Sequence, residues 1–270
     1  MKVRDLFERL RGRHVALLPN EGNCGDGLIA MGFRRLAREY SVSHTILLHP
    51  RPASGRILLV LGCGNLSRAF HHQVPRIRRY APEFNETFLL PCSIDPAAPA
   101  VAEMLETLPS SVTIFCREHS SAEKIAPIVS GKNAVHLEHD LAFAVDYEPW
   151  QQRGAGQLNA FRTDLESCDH PLPPNNLDVS LWGGANDGAL LLRTVAGYRC
   201  VHTDRAHVAI CAAMLGKETH VYPNNYHKVS GIFEFSLRAR PNVTFHSTFP
   251  FDLSEEAILT AAVGSNSSAH

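Results

Sequence analysis

Short apolar runs of four to six residues alternate with segments of helical period along most of this chain, and that alternation restricts its fold more than any other feature. It is the signature of a parallel sheet with helices on both faces. The runs predict strands over 14–19, 45–49, 57–61, 87–91, 112–116 and 134–138, then over 158–161, 178–182, 198–202, 219–222 and 243–246. Helices fit between them. In Ile29 to Tyr40, Ile29, Phe33, Leu36 and Tyr40 share one face while Arg34, Arg35 and Arg38 share another, which predicts an amphipathic helix. Further helices are expected after Asp95, with Asp95 as its cap, and over 187–196, 205–215, 226–238 and 254–263.

A length of 270 residues suits one large α/β domain or two of about 130 residues each. The character of the chain changes after His139-Asp140: Tyr147 to Gln157 is polar and contains glycine, and Asp169 to Asn176 carries three prolines. The expected division is therefore 1–150, 151–263 and a disordered tail over 264–270. Two stacked Rossmann-like units with facing parallel sheets follow, and ligands in such folds bind at the carboxyl ends of the strands.

Composition closes off several functions. Lysine plus arginine total 26 against 27 acids, so no bulk positive field is available for nucleic acid. Seven cysteines with no CxxC pair, four of them (Cys92, Cys116, Cys200 and Cys211) inside apolar runs, read as reduced thiols of a cytosolic protein. No secretory signal is visible, and no apolar stretch approaches the roughly 18 residues that cross a bilayer. Fifteen histidines are many, yet they are scattered and only His71-His72 are adjacent, so no metal site is expected.

Chemistry concentrates where predicted strands end. After 198–202 comes Thr203-Asp204-Arg205-Ala206-His207, with Thr203 or Asp204 as helix cap and Arg205 and His207 in the first turn. An anion placed there meets free helix N–H groups, a guanidinium fork and an imidazole together. Asn23-Cys24-Gly25-Asp26 and Gly62-Cys63-Gly64-Asn65 each follow a buried strand; Asn23 or Asp26 can cap a helix, and Gly62 and Gly64 permit φ > 0 and close contact with a substrate. Arg117, Arg162, Asp140 and the pair Asn225 and Lys228 stand at other strand ends. Read structurally, Arg117 only pairs with a carboxylate, Arg162 and Asp164 form a surface ion pair, and the segment at 223–228 is a capped helix.

These segments, in this order, resemble the polysaccharide pyruvyl transferase family, with its N-x-G-D loop, glycine-rich G-x-G-N loop and T-D-R-x-H segment. Leu215-Gly216-Lys217, Asn224 to Lys228 and Gly231 resemble the family's closing motifs, so the likeness spans roughly residues 14 to 240. The chain departs from the pattern at Cys63, Ala206 and Val208. The resemblance implies a GT-B-like pair of Rossmann-like units and transfer of a pyruvyl group from phosphoenolpyruvate to two hydroxyls of a sugar, forming a ketal. It implies a sugar or lipid-linked oligosaccharide acceptor on the first unit and the donor on the second. It leaves room for peripheral association with polysaccharide assembly machinery at the inner membrane.

No cofactor is called for beyond phosphoenolpyruvate as donor. His207, Arg205 and Asp26 are the expected catalytic residues. His207 is the acid–base candidate because imidazole changes charge near neutral pH. Asn23, Gly64, Asn65, Arg117, Asp140, Arg162, Thr203, Asp204, Asn225 and Lys228 are the expected binding residues. Two other functions fit the same residues: a GT-B glycosyltransferase using a nucleotide sugar, and a non-catalytic anion- or sugar-binding module.

Overall fold

The computed structural model describes residues 1–48 and 55–249. Within them, an α/β fold carries two sheets that are parallel throughout. The first contains β1 (His14–Leu18), β2 (Ser43–Ile46), β3 (Gly55–Val60), β4 (Phe84–Cys92), β5 (Val112–Cys116) and β6 (Ala134–Leu137), in the order β2-β1-β3-β4-β5-β6. The second contains β7 (Gln157–Ala160), β8 (Cys200–Thr203), β9 (Glu218–Val221) and β10 (Val243–Phe245), in the order β10-β9-β8-β7. The helices are α1 (Val3–Arg9), α2 (Cys24–Glu39), α3 (Gln73–Tyr80), α4 (Pro99–Thr107), α5 (His119–Val129), α6 (Gly188–Ala196), α7 (Ala206–Met214) and α8 (Lys228–Ile232). Helix α8 continues into a wider π-type turn over Phe233–Leu237.

In the first sheet the strand order reverses between β1 and β3, so the loops leaving these two strands part there and open a crevice. Side chains alternate as strand geometry demands: Leu58 and Val60 enter one core, while Ile57 and Leu59 enter the other. Each such fully buried aliphatic side chain contributes about 1.5–3 kcal/mol.

Helix α2 ties the two sheets together. Its Ile29, Phe33 and Leu36 pack with the first sheet, whereas Cys24 and Leu28 belong to the core around Leu158, Val201 and Val208. It crosses α6 at two glycines. A β-carbon on Gly27 would stand 2.3 Å from the Gly188 nitrogen, so only glycine permits the approach.

Several expectations need correction. The strand expected over 178–182 is a single 3₁₀ turn, Val179–Trp182. The chain runs beside β7 as far as Asn176, but the Asp178 carboxylate is then drawn away by Arg205 and by Thr163. Asp95 does not cap the helix that follows it. Helix α4 starts later, with Ala98 at the cap position and Pro99 in the first turn, and the Asp95 carboxylate lies 3.5 Å from Lys124. Strand β2 begins earlier than expected, at Ser43. The helix expected over 254–263 and the tail over 264–270 lie outside the described residues. Among the described residues, no helix is long and apolar enough to cross a membrane.

Candidate functional site

At the crevice of the first sheet, the loop after β1 turns into α2 through a capping box: Gly25 N donates to Asn23 Oδ1 at 2.9 Å, and Asn23 N donates to Asp26 Oδ2 at 3.1 Å. Asp26 thus orders this loop while its carboxylate also borders the cavity described below. Asn65, in the loop after β3, donates to Asn20 Oδ1 at 2.8 Å and to the Glu21 carbonyl at 3.1 Å, which fixes the two loops to each other. Neither Gly62 nor Gly64 adopts the positive φ expected of them. Space is what they supply. A β-carbon on Gly62 would meet the Pro91 carbonyl oxygen at 2.0 Å, and one on Gly64 would stand 3.2 Å from Lys228 Nζ and 3.4 Å from Arg117 Nη2.

Arg117 directly follows β5 and is only 1% exposed. Its Nε donates to Ser93 Oγ at 2.8 Å and its Nη1 to Asp140 Oδ2 at 2.6 Å. Burial is the largest influence on Asp140 and raises its pKa, but Arg117 and then His207 together hold the carboxyl well below the usual carboxylate range. His207, in the first turn of α7, places Nε2 3.6 Å from Asp140 Oδ2 and 3.4 Å from Arg117 Nη1. A helix of the second sheet is thereby joined to a buried ion pair of the first.

The opposite wall is a network. Arg162, just past β7, pairs with Asp164 at 2.8 Å and Glu166 at 2.6 Å; Arg205 pairs with Asp164 at 2.9 Å and, through Nε, with Asp178 at 2.7 Å; Lys228 pairs with Glu166. The Arg162–Asp164 pair is not a surface bridge, since Arg162 is 3% exposed. Burial raises the Asp164 pKa, but Arg162 and Arg205 outweigh it and bring the carboxyl down to about 2. Lys228 moves the other way. Burial is its main influence, Glu166 opposes it only in part, and the ammonium pKa falls to about 8.

These walls enclose a cavity of about 250 Å³. Of the residues expected to form a site, His207, Arg205, Asp26, Asn23, Gly64, Asn65, Arg117, Arg162 and Lys228 line it. Four do not. Asp140 lies behind Arg117, with Oδ1 accepting from Ala142 N. Thr203 donates to the Ala160 carbonyl and accepts from Arg205 N, while Asp204 Oδ1 accepts from Arg162 N; both are fully buried, and the cap position of α7 falls to Arg205. Asn225 donates to the Leu165 carbonyl and opens on a second cavity of about 580 Å³. Glu166 borders both cavities. His139 is outside the site, stacked on Phe235 with ring centroids 4.8 Å apart.

The carboxylates that hold this wall were not among the expected site residues. Asp178 was hidden inside a segment that reads as a strand. Asp164 and Glu166 carried a usable signal, since spacings of two and four residues from Arg162 allow one turn of chain to bring all three together.

No protein-family model matches the sequence, and no curated protein matches it. Among solved structures, the chain is similar to an uncharacterized protein of Klebsiella pneumoniae: 25% identity over 91% of this chain and 96% of that one, with a TM-score of 0.77. The likeness extends over most of both chains and speaks to fold.

Proposed function

We propose that this protein transfers the pyruvyl group of phosphoenolpyruvate to a pair of sugar hydroxyls, releasing phosphate and leaving a ketal. One observation carries the reading: Arg117 from the first sheet and Lys228 from the second converge over Gly64, with His207 Nε2 3.4 Å from Arg117 Nη1 and Arg205 lining the same cavity. A three-carbon molecule bearing a phosphate and a carboxylate needs such groups from more than one direction. The N-x-G-D, G-x-G-N and T-D-R-x-H segments and Lys228 all contribute to this cavity, whereas Lys217 is turned away to the Gln152 and Ala196 carbonyls. On the same reading, the two sheets are the halves of a GT-B-like pair of Rossmann-like units, with the acceptor chiefly on the first and the donor on the second.

The phosphate sits against the first turn of α7, where N–H groups lack helical partners, beside Arg205. The carboxylate takes the position over Gly64, between Lys228 and Arg117. Arg162, held by both Asp164 and Glu166, keeps this wall in place. The acceptor enters from the larger cavity past Glu166.

Protonation of the methylene carbon makes C2 electrophilic, and a sugar hydroxyl adds there. The C–O bond to phosphate breaks, and the second hydroxyl closes the ketal. Of the two hydroxyl protons lost, one balances the new methyl hydrogen and the other leaves with phosphate. His207 is placed to carry these protons, with Asp140 and Arg117 holding its ring.

Incubation with phosphoenolpyruvate and a panel of nitrophenyl and lipid-linked sugars tests this by mass gain and phosphate release. His207→Ala should lower turnover about 10²-fold or more with the melting temperature little changed. Arg205→Ala is a poor probe, because it leaves the buried Asp178 carboxylate without a counter-charge, so Arg205→Lys is preferred and should cost a similar factor. Full turnover in His207→Ala, or thermal stabilisation by nucleotide sugars and none by phosphoenolpyruvate, would reject the assignment.

A further inference from the structure

The face of the second sheet that turns away from its core carries a different kind of chemistry. Strands β8 and β9 are parallel and in register, with Cys200 opposite Glu218 and His202 opposite His220. Residues two apart on a strand share a face, so these four side chains form a two-by-two square. Val201, Thr203, Thr219 and Val221, between and beyond them, are fully buried on the core side.

Candidate ligand atoms of Cys200, His202 and His220 lie within 4.8 Å of one another. Cys200 Sγ stands 3.6 Å from His202 Nε2. Tetrahedral zinc, with bonds of about 2.3 Å to sulfur and about 2.0 Å to nitrogen, sets such a pair about 3.5 Å apart. The imidazoles of His202 and His220 stack with centroids 4.4 Å apart, and the Glu218 carboxylate is 3.3 Å from His220 Nε2.

The surroundings are those that metal-binding imidazoles require. A ligating ring nitrogen is normally fixed by a hydrogen bond at the other one. Here His202 Nδ1 bonds the Tyr222 hydroxyl at 3.0 Å, and His220 Nδ1 bonds His246 Nε2 at 2.9 Å. Tyr222 and His246 in turn stack on each other. Cys200 is buried, while His202 and His220 are partly exposed, so an ion can enter from solvent.

We infer that Cys200, His202 and His220, with Glu218 as fourth donor, bind a zinc(II) ion on the outer face of the second sheet. A thiolate with two imidazoles selects zinc over calcium or magnesium, and binding releases the Cys200 proton to solvent. The ion would cross-link β8 to β9 at some remove from the cleft.

The full chain, stripped with a chelator, is titrated with Co²⁺ as a spectroscopic stand-in and then with Zn²⁺. One equivalent of Co²⁺ should give tetrahedral d–d bands and a thiolate charge-transfer band, both displaced by Zn²⁺. Cys200→Ser should abolish the charge-transfer band, and His202→Ala or His220→Ala should weaken Co²⁺ binding at least ten-fold. X-ray absorption at the zinc edge needs no variant. It should find one sulfur at about 2.3 Å and nitrogens at about 2.0 Å. A charge-transfer band that survives Cys200→Ser, a zinc shell without sulfur, or no stoichiometric binding would overturn the proposal.

Discussion

Two walls of the cavity present positive charge, and they are built on opposite plans. On the first, a lone guanidinium, Arg117, is matched to a lone carboxylate, Asp140, each with a side chain only 1% exposed. On the second, Asp164 bridges Arg162 and Arg205, and Glu166 bridges Arg162 and Lys228, so two carboxylates each serve two cations. An isolated buried pair fails outright when one partner goes, whereas a bridged network keeps a second contact. The difference separates a wall that fixes stability from one that can adjust to a ligand.

Asp140→Asn should show the largest effect. It leaves Arg117 buried without a counter-charge, which costs about 3–5 kcal/mol and, in a chain of this size, lowers the melting temperature by about 10 °C. Asp164→Asn should cost less than half as much in the same melt, because Arg162 retains Glu166 and Arg205 retains Asp178. Equal losses in these two variants would erase the distinction between the walls.

Lys228→Met probes the adjustable side. Loss of a charged donor should weaken phosphoenolpyruvate binding about ten-fold or more at pH 7, read by calorimetry. The lysine's pKa of about 8 lies below its ordinary 10.5, so its charge is present below pH 8 and is lost as pH rises through that value. Wild-type affinity should therefore decline above pH 8, and the variant should lack that decline. Gly64→Ala should have the smallest effect. Its methyl would sit 3.2 Å from Lys228 Nζ, so affinity should drop a few-fold while the melting temperature stays nearly constant.

Much of this arrangement was legible in the sequence, because strand ends are marked by where an apolar run stops and a polar group follows. Arg117, Arg162 and Arg205 announced themselves that way, and all three line the cavity. Thr203 and Asp204 misled for a physical reason: in so short a turn, the residues that shape the loop face inward to satisfy backbone groups such as Arg162 N and Ala160 O. The square of Cys200, His202, Glu218 and His220 had no linear signature. Its halves are eighteen residues apart, and only the register of β8 against β9 joins them. Of the two properties expected of Gly64, the bent backbone is absent and the close approach remains, since a glycine that makes room and a glycine that bends the chain look alike in sequence.

Helix α2 is anchored at its amino end in one core and along its length in the other, and it touches α6 through bare backbone at Gly27 and Gly188. A helix rooted in both halves works as a splint. The halves cannot swing apart like a clamshell without pulling Cys24 and Leu28 into water. The crevice between the halves is therefore preformed, and the gain from closing a jaw around whatever enters it is not open to this molecule.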